Sequence, residues 1–151
     1  MDVVLSKFHI KGINKTKSKS ISSRINPKVK LATIYCYKKV QNRTDLTGTE
    51  EIIQFAHIGF VKNKEVAAHT HNPVIRETTG TTEVWIIIRG KIEVSLYDID
   101  RSFLYSVNLH TNDVIIFQNG GHSLKATSRV SEIYEIKNGP YGGVKSDKQQ
   151  I

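Results

Sequence analysis

The chain has 151 residues, of which 38% are hydrophobic, and a formal net charge of +8. This length accommodates one domain with a sizeable core and is short for two, and the single cysteine excludes an intramolecular disulfide. The apolar runs are too short to cross a bilayer, and the N-terminal residues lack a signal-peptide core. We therefore expect a soluble, cytoplasmic protein without a membrane partner.

The positive charge is concentrated near the N-terminus. Residues 1–30 carry eight Lys or Arg against Asp2 alone, whereas from residue 31 onward 14 basic side chains face 13 acidic ones. Residues 1–28 offer little to bury, so they are interpreted as a basic, flexible N-terminal arm. No aromatic residue is interleaved with the lysines of residues 11–24 to stack on bases. A solvated arm, or a strand that pairs with a partner subunit, is therefore favoured over nucleic-acid binding.

Short segments rich in β-branched and aromatic residues predict strands along the rest of the chain. They are residues 30–38, 52–60, 83–89, 91–97, 102–109, 114–117, 123–127 and 131–137. Turn residues separate them, and no helical periodicity is present. This pattern predicts an all-β barrel or sandwich. We expect a single domain over residues 29–151, with a C-terminal extension that begins at about residue 138.

Three histidines and one glutamate have the spacing of a metal site. His69 and His71 are separated by one residue of an extended segment, and side chains of a strand alternate faces, so both imidazoles can point toward one place. Glu83 begins an apolar strand that ends at Gly90, and His122 follows a glycine turn. Three imidazoles and a carboxylate suit a divalent transition metal such as Fe, Mn, Ni or Zn.

These positions resemble the two sequence motifs of the cupin superfamily. The matching residues are His69-x-His71, Glu83 and Gly90 for the first motif, and residues 113–117 with Gly120-Gly121-His122 for the second. The resemblance covers roughly residues 55–137. It implies a small antiparallel β-barrel of the jelly-roll type, with the metal in its interior.

The chain departs from the usual cupin motifs in the spacing of the first and in residue types of the second. Eleven residues separate His71 from Glu83, more than the first motif usually has, so Glu77 is a competing carboxylate ligand. Glu83 is preferred because only this choice retains the six-residue step to Gly90. In the second motif, Phe117 occupies the position of the usual proline, and Asn119 that of the first glycine.

The C-terminal residues 137–148 resemble the ending of a subgroup of small cupins. In that ending a Lys-x-Gly-Pro-Tyr step follows the last strand, and an Asp-Lys pair comes shortly after it. The subgroup is associated with surface-polysaccharide and nucleotide-sugar biosynthesis. The resemblance therefore implies a sugar-related ligand.

A metal with open coordination positions can polarise a carbonyl and stabilise an enediolate. We therefore predict a metal-dependent enzyme that isomerises or epimerises a small oxygenated substrate, such as a sugar or nucleotide sugar. An Fe(II) dioxygenase is an alternative that requires iron and O2. A non-catalytic sugar- or anion-binding cupin is the other alternative, and it requires only matched donors and apolar walls.

Further site residues are candidates by polarity and position. Arg76, in the threonine-rich loop 74–82, suits either a carboxylate or phosphate of a ligand or a surface ion pair with Glu77 or Glu83. Trp85 shares a strand face with Glu83, so it is a second candidate for substrate binding. Candidates for a general acid or base are Glu77, Tyr134 and Lys137.

The strand that begins at Glu83 is apolar on both faces. Trp85 and Ile87 lie on the face of Glu83, whereas Val84, Ile86 and Ile88 lie on the other and must also be covered. Another sheet layer, the N-terminal arm or a second subunit can supply that cover. We expect a homodimer.

Overall fold

The computed structural model describes residues 18–40 and 42–151. Its described elements are β1 (Ser18–Ser22), β2 (Lys30–Tyr35), β3 (Arg43–Asp45), β4 (Ala56–Ile58), β5 (Glu83–Arg89), β6 (Lys91–Tyr97), β7 (Phe103–His110), β8 (Val114–Phe117), β9 (Gly121–Ala126), β10 (Glu132–Lys137) and α1 (Val144–Asp147). The prediction of an all-β protein is confirmed. The strand predicted over residues 52–60 is shorter than expected, because only Ala56–Ile58 pairs with β3. No helix in the described ranges is long and apolar enough to cross a membrane.

The strands pair antiparallel in three sheets. The first has five strands in the order β1-β2-β8-β5-β10, the second has three in the order β7-β6-β9, and β3 pairs with β4 in the third. No strand pairing joins the five-stranded sheet to the three-stranded one within residues 18–40 and 42–151. β10 and β9 are therefore edge strands.

The main core lies between the five-stranded and three-stranded sheets. Alternation along β5 directs Glu83, Trp85 and Ile87 into this interior, as the sequence predicts. The buried apolar residues around them are Ile21, Leu31, Ala32, Ile34, Ile92, Val94, Leu96, Leu109, Ile115 and Phe117. Leu124 of β9 faces the same interior as its pairing partner Val94, yet it is 47% exposed. The interior is therefore open to solvent along β9.

A second cluster covers the opposite face of the five-stranded sheet. Val84 is fully buried there, and Ile116 packs in the same cluster. Leu46, Ile53 and Phe55 pack against them. This part of the face is thus covered by the irregular segment 46–55 of the same chain, which is none of the three covers expected from the sequence: a sheet layer, the N-terminal arm or a second subunit.

Part of the predicted N-terminal arm belongs to the five-stranded sheet. Strand β1 pairs with β2, and Ile21 is buried in the main core. Ser23, just after β1, accepts hydrogen bonds at its side-chain oxygen from the backbone N–H groups of Ile25 and Asn26, which fixes the turn into β2. The remainder of the arm, residues 1–17, lies outside the described residues.

Candidate functional site

Strand register brings five polar or aromatic side chains to one end of the interior. In the pairing of β10 with β5, Lys137 lies opposite Glu83, and Glu135 lies opposite Trp85. All four side chains therefore point to the same side of the five-stranded sheet. His122 comes from the facing sheet, where β9 pairs with β6.

Glu83 and His122 meet at this end of the interior. The Oε2 atom of Glu83 lies 3.7 Å from Nε2 of His122, with the two side chains 6% and 24% exposed, respectively. That distance is too long for a direct hydrogen bond. One oxygen atom of a ligand can therefore contact both groups at once.

Glu83 is held in place and its acidity is altered by its neighbours. The indole N–H of Trp85 donates a hydrogen bond to Oε1 of Glu83. Burial raises the pKa of Glu83 above its ordinary value; the Trp85 hydrogen bond opposes this shift, whereas the charge of Glu135 and a hydrogen bond with it reinforce it. A carboxyl with a raised pKa exchanges protons more readily near neutral pH than an exposed one.

His122 is enclosed by two aromatic rings. Its imidazole stacks on Phe117, with centroids 3.9 Å apart and planes at 20°, and the Trp85 ring approaches it edge-on at 5.0 Å. Burial lowers the pKa of His122 to about 4; the positive charge of Lys148 acts in the same direction, and Glu135 acts against it. The imidazole is therefore neutral at pH 7, and its contact with Glu83 is not an ion pair.

Lys137 is joined to the residues that follow β10. Its Nζ donates a hydrogen bond to Oδ2 of Asp147 at 3.0 Å and lies 4.2 Å from the centroid of the Tyr141 ring. The hydrogen bond to Asp147 raises the pKa of Lys137, and burial acts in the opposite direction. The ammonium is therefore charged at neutral pH and neutralised by Asp147.

The structure places His69 and His71 apart from the elements that carry Glu83 and His122. Both lie in residues 59–82, which contain no strand or helix, and both are exposed. Their rings lie edge to face with centroids 5.4 Å apart. Arg76 and Glu77 are exposed in the same segment. The four predicted metal ligands therefore form two pairs, His69 with His71 and Glu83 with His122.

This arrangement does not present a complete donor set for a metal ion. No group of three or more His, Cys, Asp or Glu side chains with suitable geometry is found in residues 18–40 and 42–151. Glu83 and His122 are chemically suitable donors, as are the two exposed imidazoles. Two donors alone do not make a metal site, but a carboxyl and an imidazole can exchange protons without a metal.

The remaining sequence candidates have different surroundings. Tyr134 lies on the opposite face of β10 from Glu135 and is 64% exposed, so the structure does not bring it to Glu83. Trp85 is only 4% exposed. Its indole N–H holds Glu83, and its ring packs against His122.

Sequence reasoning missed three contributors to this site. Phe117 stacks on His122, Glu135 adds a second carboxyl, and Lys148 acts electrostatically on both Glu83 and His122. One available signal was the spacing of Glu135 and Lys137, because two polar side chains at alternate positions of a strand share one face.

A separate cavity of about 260 Å³ lies on the outer side of the five-stranded sheet. It is bounded by the end of β2 and by the β3–β4 hairpin, and its walls include Tyr35, Cys36, Tyr37 and His57. Burial raises the pKa of the Cys36 thiol, as does the charge of Asp113, so the thiol is not activated as a nucleophile. The cavity contains none of the predicted site residues.

Comparison of the chain with protein-family models, with curated proteins and with solved structures found no match.

Proposed function

We propose that this protein binds a small oxygenated molecule, such as a sugar or nucleotide sugar, beside Glu83 and His122, and isomerises or epimerises it by proton transfer. One observation carries the proposal. A buried carboxyl with a raised pKa and a neutral, partly exposed imidazole face each other 3.7 Å apart at one end of the interior. Pairs of titratable groups whose surroundings shift their pKa values away from the ordinary range are characteristic of acid–base sites.

The reaction requires a proton to leave a carbon next to a carbonyl. Either the Glu83 carboxylate or the neutral imidazole can accept that proton, while the electrons of the C–H bond form a C=C bond and those of the C=O bond move to the oxygen. The resulting enediolate becomes an enediol when that oxygen takes a proton from water. The same proton, or one from water, is then returned to the neighbouring carbon or to the other side of the first. Glu135, within hydrogen-bond reach of Glu83, can take part in relaying it.

The proposal also includes the type of β-fold. We propose that the two larger sheets correspond to the two sides of a cupin-like jelly-roll barrel. The face-to-face arrangement of the sheets around one core supports this assignment. The motif resemblance at His69, His71, Glu83 and His122 supports it from the sequence.

A metal-dependent version of this function remains a proposal. Residues 59–82, which carry the exposed imidazoles of His69 and His71, lead directly into Glu83 at the start of β5. The metal-dependent version requires that this segment folds over Glu83 and His122 when the metal binds. Metal analysis of protein purified without a metal-affinity tag tests this version, with His69→Ala and His122→Ala as variants. Near-stoichiometric Fe, Mn, Ni or Zn that is lost in both variants is the expected result. Protein that takes up no metal on titration, with both variants folded, would refute it.

Two other functions predict different measurements. A non-catalytic sugar- or anion-binding protein binds the ligand but leaves it unchanged, and an Fe(II) dioxygenase consumes O2.

We also propose that the protein is a homodimer. This proposal is supported by Ile88, Tyr134 and Ile136, which are exposed on the outer face of β5 and β10. Light scattering coupled to size-exclusion chromatography measures the oligomeric state directly.

Solvent-deuterium exchange tests the proposed reaction before the product is known. The protein is incubated in D2O with a panel of free sugars, keto sugars and nucleotide sugars, and each is analysed by NMR and mass spectrometry. We expect one panel member to gain deuterium at a carbon next to a carbonyl, because the proton removed there is replaced from solvent. Binding without exchange would contradict catalysis and favour the binding protein, and absence of binding would contradict the proposed function as a whole.

A further inference from the structure

The C-terminal segment, residues 138–151, runs from the five-stranded sheet to the three-stranded sheet across the end that holds the site. At its start, the Asn138 side chain accepts a hydrogen bond from the backbone N–H of Thr82 and donates one to the carbonyl of Gly80. At its far end, the side chain of Ile151 lies against Gly121, where an added Cβ atom would displace it. The segment therefore begins beside Glu83 and ends beside His122.

Two further contacts hold the middle of the C-terminal segment. Asp147, in α1, accepts the hydrogen bond from Lys137 of β10. The side chain of Gln149 accepts a hydrogen bond from Nη2 of Arg101 at 2.6 Å. Lys148 stands between these two anchored residues, and its own backbone N–H donates to the carbonyl of Val144. Its position over the site is thus fixed from both sides.

Lys148 is the cation at this end that is not engaged by another side chain. Lys137 is neutralised by Asp147, and Arg101 is engaged with Gln149. Within the described ranges, no hydrogen bond or ion pair involves the Lys148 ammonium. Asp147, the residue before it, contacts Lys137, which lies opposite Glu83 in the pairing of β10 with β5. Lys148 is thus held near the place where Glu83 and His122 meet, and its charge acts on both of them.

We propose that Lys148 is the anion-binding residue of this site, and that the small molecule bound between Glu83 and His122 carries a phosphate or carboxylate group. This inference rests on the proposed function and narrows its substrate class. A lysine ammonium on a flexible stem is a compact point charge with three donors, which suits either anion. Lys148 is exposed, so the charged group of the ligand would lie at the surface and the oxygenated part of the ligand beside Glu83 and His122.

The proposal predicts a preference for charged ligands. A hydrogen bond to a charged group contributes roughly ten-fold or more to affinity, so an anionic sugar should bind at least about ten-fold more tightly than its neutral counterpart. Lys148→Met retains the length of the side chain and removes the charge. Lys145→Met is the matched control, because Lys145 is an exposed lysine of α1 with no contact to Glu83 or His122.

The test uses the side chain of Trp85, the single tryptophan of the chain. Its indole N–H resonance is followed by NMR in the full-length protein during titration with matched pairs of probes. The pairs are glucose with glucose 1-phosphate and glucose with glucuronate, and inorganic phosphate is titrated alone. We expect the anionic probes to shift the resonance at lower concentration than glucose, Lys148→Met to abolish this difference, and Lys145→Met to preserve it.

The outcomes separate this inference from the proposed function. Equal binding of glucose and its charged partners by the unmodified protein, or an unchanged preference in Lys148→Met, would overturn the role of Lys148 and leave sugar binding in place. A response to phosphate alone that is lost in Lys148→Met would support the anion site and count against the sugar. If neither sugar nor phosphate shifts the resonance, both proposals fail. A larger response to glucose 1-phosphate than to glucuronate would assign the anion as a phosphate, and the reverse as a carboxylate.

Discussion

Glu83→Gln is expected to lower the rate of solvent-deuterium exchange by about 100- to 10,000-fold, the usual contribution of a positioned acid or base. The amide has nearly the shape of the carboxyl group, and its oxygen can still accept the hydrogen bond from Trp85. The variant therefore retains the local packing and loses only the ability to take up a proton. His122→Gln is expected to lower the rate over the same range, because the imidazole is the other group that can exchange a proton at this place.

The control for this prediction is Glu132→Gln. Glu132 is an exposed residue of β10 that forms a surface ion pair with Arg89 at 3.7 Å, so its replacement removes a carboxylate of the same strand without altering the interior. Thermal unfolding is recorded for all three variants to verify that each is folded. An exchange rate in folded Glu83→Gln equal to that of the unmodified protein would show that this carboxyl is not the acid or base.

The free energy of unfolding is expected to fall as the pH drops from about 6.5 toward 4, because the folded state holds His122 neutral. In this window the unfolded chain binds a proton at this imidazole and the folded chain does not, so acid favours unfolding. A pKa lowered from 6.5 to about 4 corresponds to about 3 kcal/mol of stability lost across the window. The contribution of Glu83 to the free energy of unfolding has the opposite sign. Because its pKa is raised in the folded state, this contribution is lost as the pH rises through that pKa.

Denaturant unfolding of the unmodified protein and of His122→Gln is measured at several pH values between 7 and 4. The comparison separates the contribution of His122 to the pH dependence of stability from that of Glu83. The variant should show a weaker loss of stability on acidification, since it has no group to protonate at this position. Parallel pH profiles for the two proteins would contradict the neutral, buried state assigned to His122. The single tryptophan, Trp85, provides the fluorescence signal, and its edge-on contact with His122 makes it sensitive to local changes.

The faces of the strands were predictable from the sequence, because alternate side chains of a strand lie on the same face. The sequence places Glu83, Trp85 and Ile87 on one face of β5 and Val84 on the other, and the structure buries Val84 against a second cluster while Ile88, on the same outer face, is exposed. The Gly120-Gly121 turn likewise predicted that His122 would enter the interior. In each case a local pattern determines the direction of the side chain without reference to the rest of the fold.

The parts that could not be predicted depend on contacts between distant segments. The Lys137–Asp147 ion pair joins β10 to α1, and the Asn138 hydrogen bonds join the C-terminal segment to residues 80–82. No periodicity in the sequence encodes these distances, so the position of Lys148 over the site was not foreseen. The cover provided by residues 46–55 was similarly hidden, because it comes mostly from irregular backbone.

The central claim is that a small oxygenated molecule binds where Glu83 and His122 meet. The measurement that tests it most directly is the indole N–H resonance of Trp85, recorded while the sugars and nucleotide sugars of the panel are added to the full-length protein. The account predicts a saturable shift with at least one of them, because the indole donates to Glu83 and lies against His122, and it predicts that Glu83→Gln keeps this shift while losing solvent-deuterium exchange. A resonance that stays unchanged through the entire panel would contradict the placement of the ligand site at this pair.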